Sequence, residues 1–390
     1  MENVLKTAVI VAYGRSAAGR ARKGGLAHTN PVDFGAAILK GVLDKVPTLD
    51  KTKIEDVIVG CAKPENVQGS NFARIIALRA GLSNDVPGQT VNRFCSSGLQ
   101  SIATAANMIM ASQAEIVVAG GVESMTAIPM GATDDSLRSK WMLENNPGVY
   151  TAMGITAENV AAKYGVTREQ MDQMAYESHM KAATAQDAGK FDREIIPIEV
   201  EDAEGNKTVF CKDDGIRRTT SMESLASLKA SFKEDGSVTA GNSSQVTDGA
   251  SFVVVMSEDK AKELGLKAIA KFIGYAVAGV DPNVMGIGPT KAIPKVMNLT
   301  GLSVDDMDVI ELNEAFAAQA IPCINELGLD PKKVNPNGGA LALGHPLGAT
   351  GAILTCKALS ELKRTGGKYA LISMCIGGGM GAAGIFESVD

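Results

Sequence analysis

The chain has 390 residues, 45% of them apolar and 21% charged, a balance that excludes a disordered chain. Its 42 glycines are scattered without a three-residue period, which excludes a collagen-like one. A net charge of −6, a pI near 5.4 and only 4% aromatic residues argue against a broad nucleic-acid surface.

The length predicts about two or three domains. Residues 6–12 (KTAVIVA) read as a buried strand, and 31–42 as a helix that opens on Pro31 and repeats Phe34, Ile38 and Val42. A second strand is expected at 56–60, and a helix at 70–80 with Gly81 just past its end. A loop then leads through Cys95 into a helix with Leu99, Ile102, Ala106 and Ile109 on one face, followed by a strand at 115–120. Short apolar strands alternating with helices indicate an α/β chain on mostly parallel strands. Residues of about 121–249 are more polar and less regular, with helical patterns at 157–164 and 168–184, and read as an insertion. Alternation resumes with strands at 250–256, 268–279 and 308–312 and a helix at 290–298.

An internal echo runs through this pattern. Cys95, a small-residue helix and EIVVAGG in one segment match His345, a helix at 349–362 and KYALISM in another, which suggests two similar halves. The first ten residues lack the basic and apolar regions of a secretory leader, and the closing Ser-Val-Asp is not a peroxisomal address. No run approaches the ~18 apolar residues of a membrane helix, so a cytoplasmic protein is expected.

Six cysteines, with no CxxC pair, predict reduced thiols and neither a zinc site nor a disulfide framework. Cys95, in VNRFCSSGLQS, sits where a loop meets a helix, in the field of unsatisfied N–H groups that favours a thiolate. A small buried cysteine fits the same position. His345, in GGALALGHPLGATG, is one of three histidines and fits either a base or a satisfied core histidine. His179 reads as solvent-facing, and His28 as a loop residue. Cys375 precedes a glycine run whose bare N–H groups suit an oxyanion. Asn313 follows a strand and fits either a helix cap or an oxyanion donor. Together these residues suit a Cys/His nucleophile with a second thiol to shuttle a proton.

Other motifs fail. Gly379 to Gly384 match GxGxxG, but only six residues follow, too few for a dinucleotide fold. The sequons at Asn242 and Asn298 lack a secretory route. Arg15, Arg20, Arg22 and Lys23 read as a solvated basic loop.

The segments VNRFCSSGLQS, TAGNSSQVTDGA, MGIGP, NEAFAAQA, GGALALGHPLGATG and MCIGGGMGAA resemble the thiolase family in wording and order, and the likeness runs from KTAVIVAYGR to AAGIF. The resemblance implies an α/β thiolase fold, two similar βαβ-rich halves in an α/β/α/β/α arrangement, with residues 1–266 as the first half and 267–390 as the second. It implies a loop domain inserted at about 121–249. It also implies a homodimer or homotetramer, and it leaves open whether a multienzyme β-oxidation complex is a further partner; the charge and hydropathy above point to neither a nucleic acid nor a membrane. Coenzyme A would be a substrate, with no bound cofactor and no metal.

By the same resemblance, Cys95 looks like the acyl-accepting nucleophile and His345 like the base that activates it. Asn313 would position a water beside His345, Cys375 would exchange protons with the acetyl-CoA enolate and the incoming thiol, and the N–H groups of Cys95 and Gly377 would hold the second oxyanion. Arg217, Ser224, Phe232, Ala240, Ser244, Met285 and Phe316 look like neighbours of CoA, with Arg217 toward its adenine or phosphate end. One triplet departs from the biosynthetic acetoacetyl-CoA thiolases, which carry His-Met-Gly where this chain has Ala152-Met153-Gly154. That favours cleavage of 3-ketoacyl-CoA in fatty-acid β-oxidation over acetoacetyl-CoA chemistry. A decarboxylating ketosynthase would need Cys-His-His, and an inactive scaffold would be free to lose Cys95, His345 or Cys375.

Overall fold

The computed structural model describes residues 5–130 and 135–389. The start of the leader reading, four positions of the insertion and the final Asp390 therefore lie outside the described residues. In chain order the first half holds β1 (Ala8–Arg15), β2 (Gly19–Arg20), α1 (Pro31–Leu43), β3 (Asp56–Gly60), α2 (Phe72–Arg79), β4 (Gly88–Val91), α3 (Ser97–Met110) and β5 (Ile116–Ser124). The insertion carries α4 (Lys140–Asn145), α5 (Met153–Tyr164), α6 (Arg168–Asp187), the hairpin β6 (Ile198–Glu201) and β7 (Lys207–Phe210), and α7 (Met222–Ala226). Then follow β8 (Thr247–Ser257), α8 (Glu258–Glu263), β9 (Ala270–Gly279), α9 (Pro289–Thr300), β10 (Val309–Leu312), α10 (Ala317–Glu326), α11 (Ala340–Leu343), α12 (Leu347–Thr365), β11 (Tyr369–Ile376) and β12 (Met380–Ser388).

Local chemistry sets these boundaries. The Asn30 side chain accepts from Val32 N–H at 2.9 Å and Pro31 opens α1, while Gly81 at φ +86° follows α2. All eleven residues of β8 are buried, because helices cover both faces of the sheet there.

The two halves repeat one topology. In the first, β3 pairs with β5 in parallel, β5 with β8 antiparallel and β8 with β1 antiparallel. In the second, β10, β11, β12 and β9 repeat that order and those directions, so the expectation of mostly parallel strands is corrected: antiparallel pairs outnumber parallel ones, because β8, β1, β9 and β12 join the sheet antiparallel to their neighbours. Even β4 has an echo, a parallel bridge between Ile310 and Val334. The halves join into one ten-stranded sheet where Val9 faces Lys271 and Ile10 faces Ala270.

Five layers result. α1 and α2 pack Phe34, Ile38, Phe72 and Ile76 against the outer face of the first half-sheet. α9 and α10 pack Ile293, Val296 and Cys323 against the outer face of the second. Between the half-sheets lie α3 and α12, whose Leu99, Ile102, Ala352 and Leu359 share one cluster with Ile58, Val255, Phe272 and Ile372. The insertion rests on α10 through Ala157, Met171, Ala317 and Ala318.

The reading of Arg15 as part of a solvated loop is corrected. Arg15 ends β1 at 1% exposure and holds Asp213 through two nitrogens at 2.7 and 3.0 Å and Glu194 at 2.8 Å. The chain buries this cation because two carboxylates from the insertion neutralise it and pin that insertion to the sheet.

Candidate active site

The starts of α3 and α12 meet at the centre of the molecule because glycines let them. A methyl on Gly98 would lie 2.9 Å from the Gly348 carbonyl oxygen, and one on Gly121 only 2.2 Å from it. Any larger side chain would drive the helices apart. The buried carboxylate of Glu123, on β5, locks the same junction by accepting from Gly348 N–H at 2.8 Å and Ala62 N–H at 2.7 Å. A carboxylate at the first turn of α12 is favourably placed in that helix's field.

Cys95 lies in the short turn Phe94–Ser96 that leads into α3. Phe94 has φ +44°, a left-handed conformation costing about 1–2 kcal/mol for a side chain of this kind. Asn92 Oδ1 accepts from Phe94 N–H at 2.8 Å, and Ser97 ties the turn by accepting from Arg93 N–H at 2.8 Å and donating to Phe94 O at 2.7 Å. The turn aims Cys95 inward, with its sulfur facing the N–H groups of Gly377 and of Cys95 itself. Burial pushes the thiol up to about 11, and those two N–H groups pull against it. The thiolate expected from the helix field is thus not the resting form, because desolvation outweighs the field.

Cys375 is fully buried near the end of β11, paired with Gly381 of β12. Burial, followed by the neighbouring thiols of Cys95 and Cys323, raises its pKa well above the usual thiol range. Gly377 opens the turn to β12, and Gly378 and Gly379 pass through it at φ +79° and +87°.

His345 precedes α12, and its N–H donates to Gln245 O at 3.1 Å and Thr247 Oγ1 at 3.2 Å. A methyl on Gly344, at φ +92°, would lie 2.0 Å from Thr247 Oγ1, so only glycine fits ahead of the histidine. Burial alone pulls His345 down to about 4, leaving it neutral at pH 7. Its Nδ1 meets Thr350 Oγ1 at 2.6 Å, and its Nε2 lies 3.4 Å from Asn313 Nδ2. Asn313 does not cap α10, which begins at Ala317. Instead its N–H donates to Ser373 O at 2.9 Å, and its buried Oδ1 has no partner among the described residues.

Arg217, Ser224 and Ala240 line an open cleft of about 420 Å³ in the insertion. Leu225 and Leu341, also on its wall, share a buried cluster with Met285, Phe316 and Cys375. Phe232 stacks edge-on to Phe316 at 6.0 Å and covers Gly154. Ser244 N–H donates to Ala315 O at 3.0 Å, fastening this wall to the segment ahead of α10. The residues expected beside CoA thus lie on the wall of the cleft, in the buried cluster packed behind it, which also holds Cys375, or against that cluster.

His179 is corrected: it lines the cleft at 3% exposure and accepts from Arg217 N–H at 3.1 Å through Nδ1. Burial, followed by the Arg217 charge, pulls it down to about 4. Glu123, Glu314 and Thr350 go unnoticed in the sequence. Glu314 accepts from Ser178 Oγ at 2.7 Å and Asn335 Nδ2 at 2.8 Å, steadying the segment that leads to His345. A carboxylate inside or directly after an apolar strand was the available signal.

Residues 8–259 match the family model "Thiolase, N-terminal domain", and residues 266–388 match "Thiolase, C-terminal domain". The 3-ketoacyl-CoA thiolase of Bacillus subtilis (strain 168) is 50% identical over 393 residues, covering 98% of this chain and 100% of that protein. A β-ketoadipyl-CoA thiolase of Acinetobacter baylyi is 44% identical over 402 residues, covering 99% and 100%. The crystal structure of the Bacillus anthracis acetyl-CoA acetyltransferase superposes with a TM-score of 0.92 at 40% identity, covering 100% of both chains.

Proposed function

The chain belongs to the thiolase family of acyltransferases, and from that premise we propose that it cleaves 3-ketoacyl-CoA with CoA, giving acetyl-CoA and a shortened acyl-CoA. The observation that carries this reading is the buried pair of thiols, Cys95 and Cys375, with the Gly377 N–H beside the Cys95 sulfur.

In this reaction His345 Nε2 takes the Cys95 proton, and the sulfur attacks the keto carbon. The N–H groups of Cys95 and Gly377, which already face the sulfur, hold the oxyanion that forms. The bond between carbons 2 and 3 breaks, and its electron pair moves into the acetyl-CoA enolate. The thioester oxygen of that enolate lies toward His345 and the water positioned by Asn313, and Cys375 supplies the proton to its carbon. The Cys375 thiolate then takes the proton of the incoming CoA thiol, whose sulfur attacks the acyl-Cys95 thioester. Cys95 leaves and recovers its proton from His345. The high pKa of Cys375 suits it to protonating a carbanion and then serving as a strong base.

The surroundings of Gly377 support an apolar acyl group. A methyl built on Gly377 would meet Met153 Sδ at 3.6 Å and Phe94 at 3.9 Å, and one on Gly378 would meet Val149 at 3.9 Å. These contacts favour alkyl chains over a dicarboxylic acyl group such as ketoadipyl. The edge strand β4 and the exposed Phe94, Ile75 and Leu78 nearby support a homo-oligomer. The test is the thiolysis rate over acetoacetyl-CoA, longer 3-ketoacyl-CoA substrates and ketoadipyl-CoA. Activity that rises beyond four carbons supports the degradative reading; activity confined to acetoacetyl-CoA or to ketoadipyl-CoA overturns it.

A further inference from the structure

We propose that Thr350 is the positioning residue that fixes the tautomer of His345, holding its ring proton on Nδ1 so that a bare Nε2 faces Asn313. The inference rests on the functional reading above, because it explains how a neutral imidazole is kept ready to take the Cys95 proton.

Three observations converge. Thr350 and His345 are buried at 2% and 5% exposure, and Oγ1 meets Nδ1 at 2.6 Å, the short range of a well-made hydrogen bond. On the other side of the ring, Asn313 presents Nδ2 to Nε2 at 3.4 Å. An amide nitrogen only donates, so Nε2 accepts, and a neutral ring then carries its proton on Nδ1. The Thr350 oxygen is therefore the acceptor and must send its own proton elsewhere. Thr350 borders a small cavity of about 20 Å³ that is also lined by Gly344, Pro346 and Lys357, with room for one water to receive that proton.

Thr350 is well suited to the task. It lies in the first turn of α12, its N–H donates to Pro346 O at 3.1 Å, and its β-branched side chain has few rotamers. Among the described residues, no carboxylate is hydrogen-bonded to the ring. A hydroxyl at Nδ1 therefore orients the imidazole as an aspartate does in a serine-protease triad, without holding the charged form. Burial keeps the resting ring neutral, so the question of tautomer arises at all. When Nε2 receives the Cys95 proton, Nδ1–H stays on Thr350, and the new Nε2–H becomes a donor in the same place.

The test uses the full-length, ligand-free protein labelled with 15N-histidine, whose ring nitrogens report which one carries the proton. His345→Asn assigns the signal. His179, whose Nδ1 accepts from Arg217 N–H, is an internal reference of the opposite tautomer. The expected wild-type result is a protonated Nδ1 and a bare Nε2 at His345. Thr350→Val, nearly the same shape, should lose that preference and slow iodoacetamide alkylation of Cys95 roughly 10- to 100-fold at neutral pH. Thr350→Ser, which restores the hydroxyl, should recover both readouts. A proton on Nε2 in the wild type overturns the proposal, as do an unchanged spectrum and alkylation rate in Thr350→Val. The spectrum needs no turnover, so a protein without thiolysis activity would end the functional reading and leave the tautomer to be judged by itself.

Discussion

Gly351 on α12 lies directly against Leu99 on α3: a methyl added to Gly351 would stand 2.4 Å from the Leu99 backbone nitrogen. This contact sets the distance between the helix that follows Cys95 and the helix that follows His345. Gly351→Ala should destabilise the protein by about 1–3 kcal/mol through overpacking. Thiolysis should fall further than that stability loss alone explains. Urea midpoints and kcat measured on the same preparation check this, and an unchanged kcat would show that the spacing is not critical.

The two thiols should separate in their effects. Cys95→Ala should show no acyl adduct on incubation with a 3-ketoacyl-CoA and should lose at least about 10³-fold in turnover. Cys375→Ala should allow some acylation of Cys95 but fail to turn over. Peptide-mapping mass spectrometry decides the matter, and acyl label on Cys61, Cys211, Cys323 or Cys356 would contradict the assignment.

Acid should weaken the fold through its buried histidines. His179 and His345 both fall from 6.5 to about 4 on burial, so below pH 6.5 the unfolded chain takes up protons that the native state refuses. Their neutral burial is tolerated above pH 6.5, and stability is lost as pH falls toward 4. Each histidine accounts for about 3 kcal/mol over that window. Thermal midpoints measured from pH 7 to pH 4 should fall, and His179→Gln should flatten the decline. A midpoint unmoved by pH would show that these rings are not buried as described.

Removing the buried cation should cost more than removing an exposed one. Arg15→Met strands the carboxylates of Asp213 and Glu194 and should lower stability by about 3–5 kcal/mol. Arg79→Met, at an exposed pair with Asp33, should cost about 1 kcal/mol or less. Chemical denaturation of the two variants compares them directly.

Much of this was readable because periodicity survives in elements covered on one or both faces. The strand Asp56–Gly60 and the helix beginning at Pro31 follow directly from apolar spacing and turn chemistry, and the Cys95 and His345 echo does reflect a repeated topology. Arg15 and His179 were misread because sequence patterning cannot supply distant partners. The carboxylates that neutralise Arg15 come from the insertion, and the N–H that meets His179 comes from Arg217. The state of Cys95 was misjudged for a related reason: a helix-end field is a local property, whereas desolvation depends on everything packed around the sulfur.

The backbone pairing of β1 with β9 makes one unbroken sheet from β10 to β4. Neither half can swing open like a jaw without tearing that seam, so in the proposed reaction it is the carrier's arm, and not the two halves, that has to move.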